Sequence, residues 1–326
     1  MTLAGIGLIA RQEFRTRIRT GHWKALLAVW FVLVNGLGLL FRLTIGVGDD
    51  AALVMFGSVM LAVLVLVLLI APALSGQAIN GDRERGTLAA LQVTRLSPAD
   101  IALGKLAAAW GTGTTVLVLA LPVTLVPVLE GAVSPFHHLA VVGIMIVQVG
   151  VVVTLSLGWS GVVARGVTSV LLSYLTVFGL LVGTMVVGAI FDGLATRGGD
   201  LDGPGTARNH AWWVMSPNPV VVLADAAPRL EARHEIVTLR SGRRVVVDDD
   251  VDGDLLGELS RDLREMREPK PSYRPDGSYR TDPGEGGPVW PYGLAVQLAL
   301  AGLALGSAVR GLRTPVRILP SGVRIA

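Results

Sequence analysis

The chain has 326 residues, of which 52% are hydrophobic and only 16% charged, against roughly a quarter charged in soluble domains. Its mean hydropathy is +0.60, so it lacks the charge to cover a globular surface, and disorder, a collagen helix and a coiled coil are excluded too. With no cysteine and a net charge of +3 that sits beside apolar runs, there is no disulfide framework or thiolate metal site and no basic domain to read nucleic acid.

Taken in chain order, residues 3–23 predict an amphipathic helix. Arg11, Arg15 and Arg19 stand at i, i+4 and i+8 and form one basic stripe, with Leu3, Phe14 and Ile18 beside it. Such a helix lies in the headgroup layer of a membrane. Six runs then approach the roughly 20 apolar residues needed for a crossing: 25–41, 51–79, 106–129, 138–164, 166–191 and 289–309. The first has a long charged lead and no small-x-small site close behind it, so it reads as a retained anchor rather than a signal peptide. None of the six contains Asp, Glu, Lys or Arg; Asn35, Gln148 and Gln297 are the strongly polar residues away from the ends. Pro122 and Pro127 predict a kink late in the third. The pairs Gly179/Gly183 and Gly302/Gly306 offer small-xxx-small faces for close helix approach.

Orientation follows from the basic residues of short flanks. Residues 1–24, 80–105, 165 and 310–326 hold 14 Lys and Arg and four acids, whereas 42–50 and 130–137 hold one Arg and three acids. The expected fold is therefore an all-α polytopic membrane protein with six transmembrane helices. Both termini lie in the cytoplasm (N-in/C-in), and an extracytoplasmic insertion, 192–288, lies between helices five and six. The expected location is the cytoplasmic membrane, with a basic tail over 310–326.

The insertion divides in two. Residues 210–228 contain Trp212, Trp213 and an apolar run, 220–227, interrupted by Ser216-Pro217-Asn218-Pro219. This predicts a break and then a short surface helix against the outer membrane face, with the Trp pair at the interface. Residues 229–288 form a polar insertion. Within it, 237–239 and 245–247 read as a hairpin, 261–267 as a short charged helix, and the rest as a linker. Asp248, Asp249, Asp250, Asp252 and Asp254 meet only half of a calcium-loop pattern: Gly253 falls at the sixth position, but Leu259 at the twelfth, where Glu is required. A solvated acidic turn is the better reading.

No catalytic constellation appears. There is no HExxH or GxSxG, and the five His are scattered. Ionisable residues inside spans mark proton relays and ion paths, and the six runs have none. The chain also lacks a GxxxxGK[ST] phosphate loop; it is not expected to be an enzyme or to hold a cofactor, and any uphill work must draw energy from another chain.

The informative stretch is the loop at 80–105. Thr87 can cap a short helix to about residue 93, with Leu88 and Leu91 on one side. Ser97, Pro98 and Asp100 make a capping box with Pro in the first turn of a second helix, which continues into span three. A short helix joined to a rigid span is a lever.

The run Glu84-Arg85-Gly86-Thr87-Leu88, followed by Thr94 to Pro98 and Leu103-Gly104-Lys105, resembles the first cytoplasmic loop of ATP-binding-cassette (ABC) type-2 permeases, the membrane subunits of exporters. Ala89 departs from the pattern, where Glu is common. Six spans, cytoplasmic termini and a re-entrant or surface helix before the last span also match, and the Pro-Asn-Pro run and composition are similar to those of high-GC bacterial members. The resemblance leaves out roughly 229–287. It implies a permease subunit pairing with a second permease, alike or related, over two copies of a separate ATPase that carries ATP and Mg. Residues 82–93 would be the coupling helix, with Asp82, Arg83, Glu84, Arg85 and Thr87 in its polar contacts and Leu88 and Leu91 as its apolar anchor. The uncharged spans suit a hydrophobic or amphipathic cargo. Two rival readings are a standalone channel or carrier, and a receptor or scaffold acting through the insertion.

Overall fold

The computed structural model describes residues 2–19, 21–45, 48–88, 91, 94, 96–197, 208–230, 233–238, 244–249, 253–267 and 287–313. The helical architecture expected from the apolar runs is present. Six helices are long and apolar enough to cross a membrane: Trp23–Ile45, Asp50–Glu84, Pro98–Val118, Pro135–Val162, Gly166–Phe191 and Trp290–Arg313.

In chain order the elements are α1 (Leu3–Arg19), α2 (Gly21–Ile45), α3 (Asp49–Ser75), α4 (Asn80–Glu84) and α5 (Pro98–Val118). The one-turn helices α6 (Leu121–Thr124) and α7 (Val126–Leu129) follow, then α8 (Pro135–Val162). The fifth span is α9 (Gly166–Phe178), a π-helical turn (Gly179–Gly183) and α10 (Thr184–Arg197). Next come α11 (Arg208–Met215), α12 (Pro219–Ala226), strands β1 (Arg233–Thr238) and β2 (Arg244–Asp249), α13 (Leu255–Arg267) and α14 (Trp290–Arg313).

The second, third and fourth spans bury 50–56% of their most apolar windows, against 17%, 11% and 22% for the first, fifth and sixth. The core therefore lies along α3. Its Phe56, Leu64 and Leu68 pack with Ala109 and Val116 of α5 and with Met145, Val149 and Val152 of α8.

The third span differs from the expected 106–129. It starts at Pro98 and stops at Val118. Pro122 has no N–H to continue the ladder, so the chain proceeds as α6 and α7 rather than as a kinked helix. The freed backbone is held by Asn35: its Nδ2 donates to the Leu119 carbonyl at 3.0 Å and its Oδ1 accepts from the Val123 N–H at 3.2 Å. Gly38 makes room, since a Cβ there would lie 1.9 Å from Val123 Cγ2.

The expected surface helix over 210–228 is also corrected. The Ser216–Pro219 break separates α11 from α12, and Val221 to Ala224 of α12 are fully buried. The break is seated inside the bundle. Gln148 Nε2 donates to the Pro219 carbonyl at 3.0 Å, and Gln297 Nε2 to that of Pro217 at 2.9 Å. Asn218 caps α12 through the Val220 N–H and donates from Nδ2 to the Leu181 carbonyl, 2.7 Å, in the π-helical turn. At about 1.5 Å per residue, the break sits roughly 20 Å along α8 and roughly 10 Å along α14 from their starts. The two short helices thus form a broken helical hairpin packed among the long helices. An apolar octad after a proline break has nowhere to satisfy its backbone on a lipid face, whereas these amides and carbonyls satisfy it inside protein. The Trp pair is split between inside and outside: Trp212 is buried, and it stacks at 4.3 Å on Trp213, which is exposed, with Tyr292 edge-on and Arg267 over Trp212 at 5.4 Å.

Part of the polar insertion belongs to the fold. The hairpin forms, with strands longer than expected and Val237 opposite Val245. The short charged helix is longer too: α13 starts at Leu255, capped by Asp254, whose Oδ1 accepts from the Gly257 N–H at 3.0 Å. Leu256 and Leu263 are buried, and Leu256 lies against Gly57 of α3. Asp225 ties α12, α13 and α14 together by accepting from Arg264 Nε at 2.6 Å, Ser260 Oγ at 3.0 Å and the Val289 N–H at 2.6 Å. No cluster of three or more metal-ligating side chains occurs among the described residues; Asp250 and Asp252 of the acidic turn, and the linker at 268–286, lie outside them. Finally, a Cβ on Gly179, Gly183, Gly302 or Gly306 would meet nothing within 4 Å, so neither predicted small-residue face is a helix contact among the described residues.

Candidate functional site

The loop at 80–105 gathers at one end of the bundle with α1, the turn after α8 and the end of α14. Its second helix begins as the sequence predicts. Ser97 Oγ accepts from the Asp100 N–H at 3.1 Å, and Asp100 Oδ2 accepts from the Ser97 N–H at 3.0 Å. The other oxygen of Asp100 accepts from the Thr2 N–H at 2.9 Å, which fixes the start of α1 to the start of α5. Replacing Ser97 with Ala should destabilise this helix start by about 1 kcal/mol, read as faster amide hydrogen exchange over residues 99–102.

One turn further along α5, Lys105 is 2% exposed. Its ammonium pairs with Asp82 of α4 and with Glu13 of α1. Asp82, 8% exposed, also takes Arg85 Nη2 at 2.9 Å and Thr87 Oγ1 at 3.2 Å. A buried lysine thus holds three helices through two carboxylates. Ile9 of α1 fits over Gly104, where a Cβ would lie 2.5 Å from Ile9 Cβ. The amphipathic α1 is therefore packed on α5 along part of its length, while Arg11, Arg15 and Arg19 stay exposed.

The remaining predicted residues divide between those used inside the chain and those facing outward. Arg83 donates to Asn80 Oδ1 at 2.8 Å and reaches the Val163 carbonyl at 3.4 Å. Glu84 Oε1 accepts from the Gly166 N–H at 3.1 Å, at the start of α9. Ser160 of α8 accepts from the N–H groups of Ile79 and Asn80, and Ser169 of α9 donates to the Gly76 carbonyl. The foot of the second span is thus fastened to the third, fourth and fifth. After α4 the chain reverses at Gly86, whose φ of +72 is a left-handed conformation that favours glycine. Thr87 does not begin a new helix as a cap. It is helical itself, and its hydroxyl turns back to Asp82; residues 89, 90, 92 and 93 lie outside the described residues.

The predicted apolar anchor faces inward. Leu88 is buried with Ile79, Ile101, Leu157 and Leu312, and Leu91 is half-buried beside it. Glu84, Arg85 and Thr87 remain exposed, with the Arg85 side chain 68% open. The sequence reading missed Lys105 as the centre of this cluster and missed Glu13 entirely. The signal was an acid inside a basic amphipathic helix and a lysine at the head of an apolar run, two turns into the helix that Ser97 caps. Such a lysine needs partners.

The fold and this cluster define a multi-pass helical membrane protein whose second to fifth spans are fastened together at one end by charges and hydroxyls. Neither a protein-family model nor a curated protein sequence matches the chain.

Proposed function

We propose that the chain is the membrane-spanning permease subunit of an ATP-binding-cassette exporter in the cytoplasmic membrane, with both termini inside the cell. The observation that carries this is the exposed turn around Arg85, at the foot of the second and third spans. It is clamped to α1 and α5 through Asp82 and Lys105 and to α9 through Glu84. A load on that turn moves several spans together, as a coupling element must. The resemblance of residues 84–105 to the coupling loop of type-2 permeases points the same way, as does a broken helix pair before the last span.

In this reading two copies of a separate ATPase, carrying ATP and Mg, dock beneath a pair of permeases. Glu84, Arg85 and Thr87 make the contact, and Leu88 and Leu91 transmit it to the core. The cargo is hydrophobic or amphipathic, because the six apolar runs carry no charged side chain.

Arg85→Gln should weaken retention of the ATPase on affinity purification by at least about tenfold, since truncating one partner of an interfacial charge pair costs about 2–5 kcal/mol, while the loss of its exposed pairing with Asp82 costs the permease itself under about 1 kcal/mol. Transport by the purified chain in liposomes with no ATPase present would overturn the proposal and favour a standalone carrier.

A further inference from the structure

The β1–β2 hairpin of the polar insertion is a sheet of two strands, and no third strand joins either edge among the described residues. No helix among them packs broadly on it. A lone hairpin is marginally stable in water; a third strand or a covering helix is what makes such a ribbon hold. We propose that the missing strand is β2 of a second copy of this chain, paired antiparallel, edge to edge, about a two-fold axis at Val246.

The choice of partner and of edge comes from β2 itself. Residues 244–248 read Arg-Val-Val-Val-Asp. Laid antiparallel on itself with Val246 on the axis, this run sets Arg244 opposite the partner's Asp248 at both ends and valine opposite valine at the three positions between. Strand residues alternate between faces with period two. Arg244, Val246 and Asp248 therefore share one face and Val245 and Val247 the other, so every opposed pair lies on a common face, as an antiparallel ladder requires. Moving the axis to Val245 or Val247 loses both charge pairs. Within the hairpin Arg244 stands opposite Thr238 and Asp248 opposite His234, so neither has a carboxylate or guanidinium directly across from it in β1.

The other edge does not fit itself. About Ile236, β1 sets Glu235 opposite Val237; about Glu235 it sets that acid opposite its own copy. Like charges directly opposite destabilise a ladder, and opposite charges support it. β2 also has no Pro, Gly or Lys to blunt its edge, whereas β1 opens on Arg233, His234 and Glu235, the kind of charged strand that ends a sheet safely. The result is a four-stranded sheet, β1-β2-β2-β1, in which the two-fold uses the valine edge once and leaves none to propagate. It narrows the permease pair proposed above to two identical chains.

The chain has no cysteine, so one introduced thiol reports the axis. Opposed residues of an antiparallel pair have Cα atoms about 4.5–5.5 Å apart, within disulfide reach. Full-length Val246→Cys, purified in mild detergent and oxidised with copper phenanthroline, should form a covalent dimer at least about tenfold faster than Thr238→Cys on β1. Adding Arg244→Asp should slow it at least about tenfold by setting acid against acid, and adding Asp248→Arg should do the same with bases. Exchanging both charges should restore the rate to within about twofold. In protein without the thiol, amides of 244–248 should exchange at least about tenfold faster in Arg244→Asp than in wild type and recover in the charge exchange. Equal rates at 246 and 238, a charge exchange that stays slow, or capture of a different polypeptide by Val246→Cys in cell membranes overturns the pairing. No ATPase is present, so failure here is separate from failure of the permease reading.

Discussion

Replacing Lys105 with Met should cost the protein about 3–5 kcal/mol, the usual penalty for removing one partner of a buried ion pair. The reason is what stays behind. Asp82 is 8% exposed and would keep only the exposed Arg85 and the Thr87 hydroxyl as side-chain partners. Glu13 is about 30% open at its side chain and can turn to water, so its share is small. Two comparisons separate these contributions. Glu13→Gln should cost under about 1 kcal/mol. The double variant Lys105→Met, Asp82→Asn should recover much of the loss, because no uncompensated charge remains; with Asp82→Asn alone as the other single variant, the non-additivity measures the pair. Reversible unfolding in mixed micelles, titrated with dodecyl sulfate, reads all five proteins. Equal stability of wild type and Lys105→Met would mean that the lysine does not hold α1 and α4 to α5. Loss of the clamp should also free α1, seen as earlier proteolysis after Arg11, Arg15 or Arg19.

Much of this architecture was legible because a membrane leaves the backbone few options. Charge-free runs gave the six spans, and Ser97, Pro98 and Asp100 gave the start of α5 by local chemistry alone. What escaped was non-local. Asn35, Gln148 and Gln297 stood out as polar residues in apolar runs, but nothing near them in sequence tells what they bind. Each turns out to serve backbone freed by a proline break in another segment: Asn35 at 119–123, and the two glutamines at 217–219. Counting apolar length also misled at 220–227, which is too short to cross and was therefore placed on a surface. A half-length helix can equally well enter and stop, provided that other helices meet its end. Leu88 and Leu91 were legible as an apolar pair but not in direction, since a leucine facing a partner and one facing its own core look alike in a single loop.

Glycine spacing misled in the same way, and a substitution pair tests the correction. Gly161→Val should cost about 3 kcal/mol, at the upper end of ordinary overpacking, while Gly306→Val should change stability by no more than about 0.5 kcal/mol. Both glycines sit in spans, and only Gly306 belongs to a G-xxx-G pair. Yet a Cβ on Gly161 would lie 2.6 Å from Ala308 Cα, and one on Gly311 only 2.3 Å from the Gly161 carbonyl oxygen. One turn away, a Cβ on Gly158 would lie 2.7 Å from Ala304 Cβ. The contact between α8 and α14 is thus backbone against backbone, with Gly158 and Gly161 facing Ala304, Ala308 and Gly311. In a membrane such close approach supplies the packing that the hydrophobic effect does not. Backbone atoms cannot rotate away, so a valine at 161 must push α14 outward. That movement would uncover Ala308 and Leu312, which pack with Ile79 and Leu88, and so loosen the turn around Arg85 from its far side. Unfolding in mixed micelles should therefore drop for Gly161→Val, together with faster hydrogen exchange at residues 79–88. A neutral Gly161→Val beside a destabilised Gly306→Val would place the seam on the other face of α14.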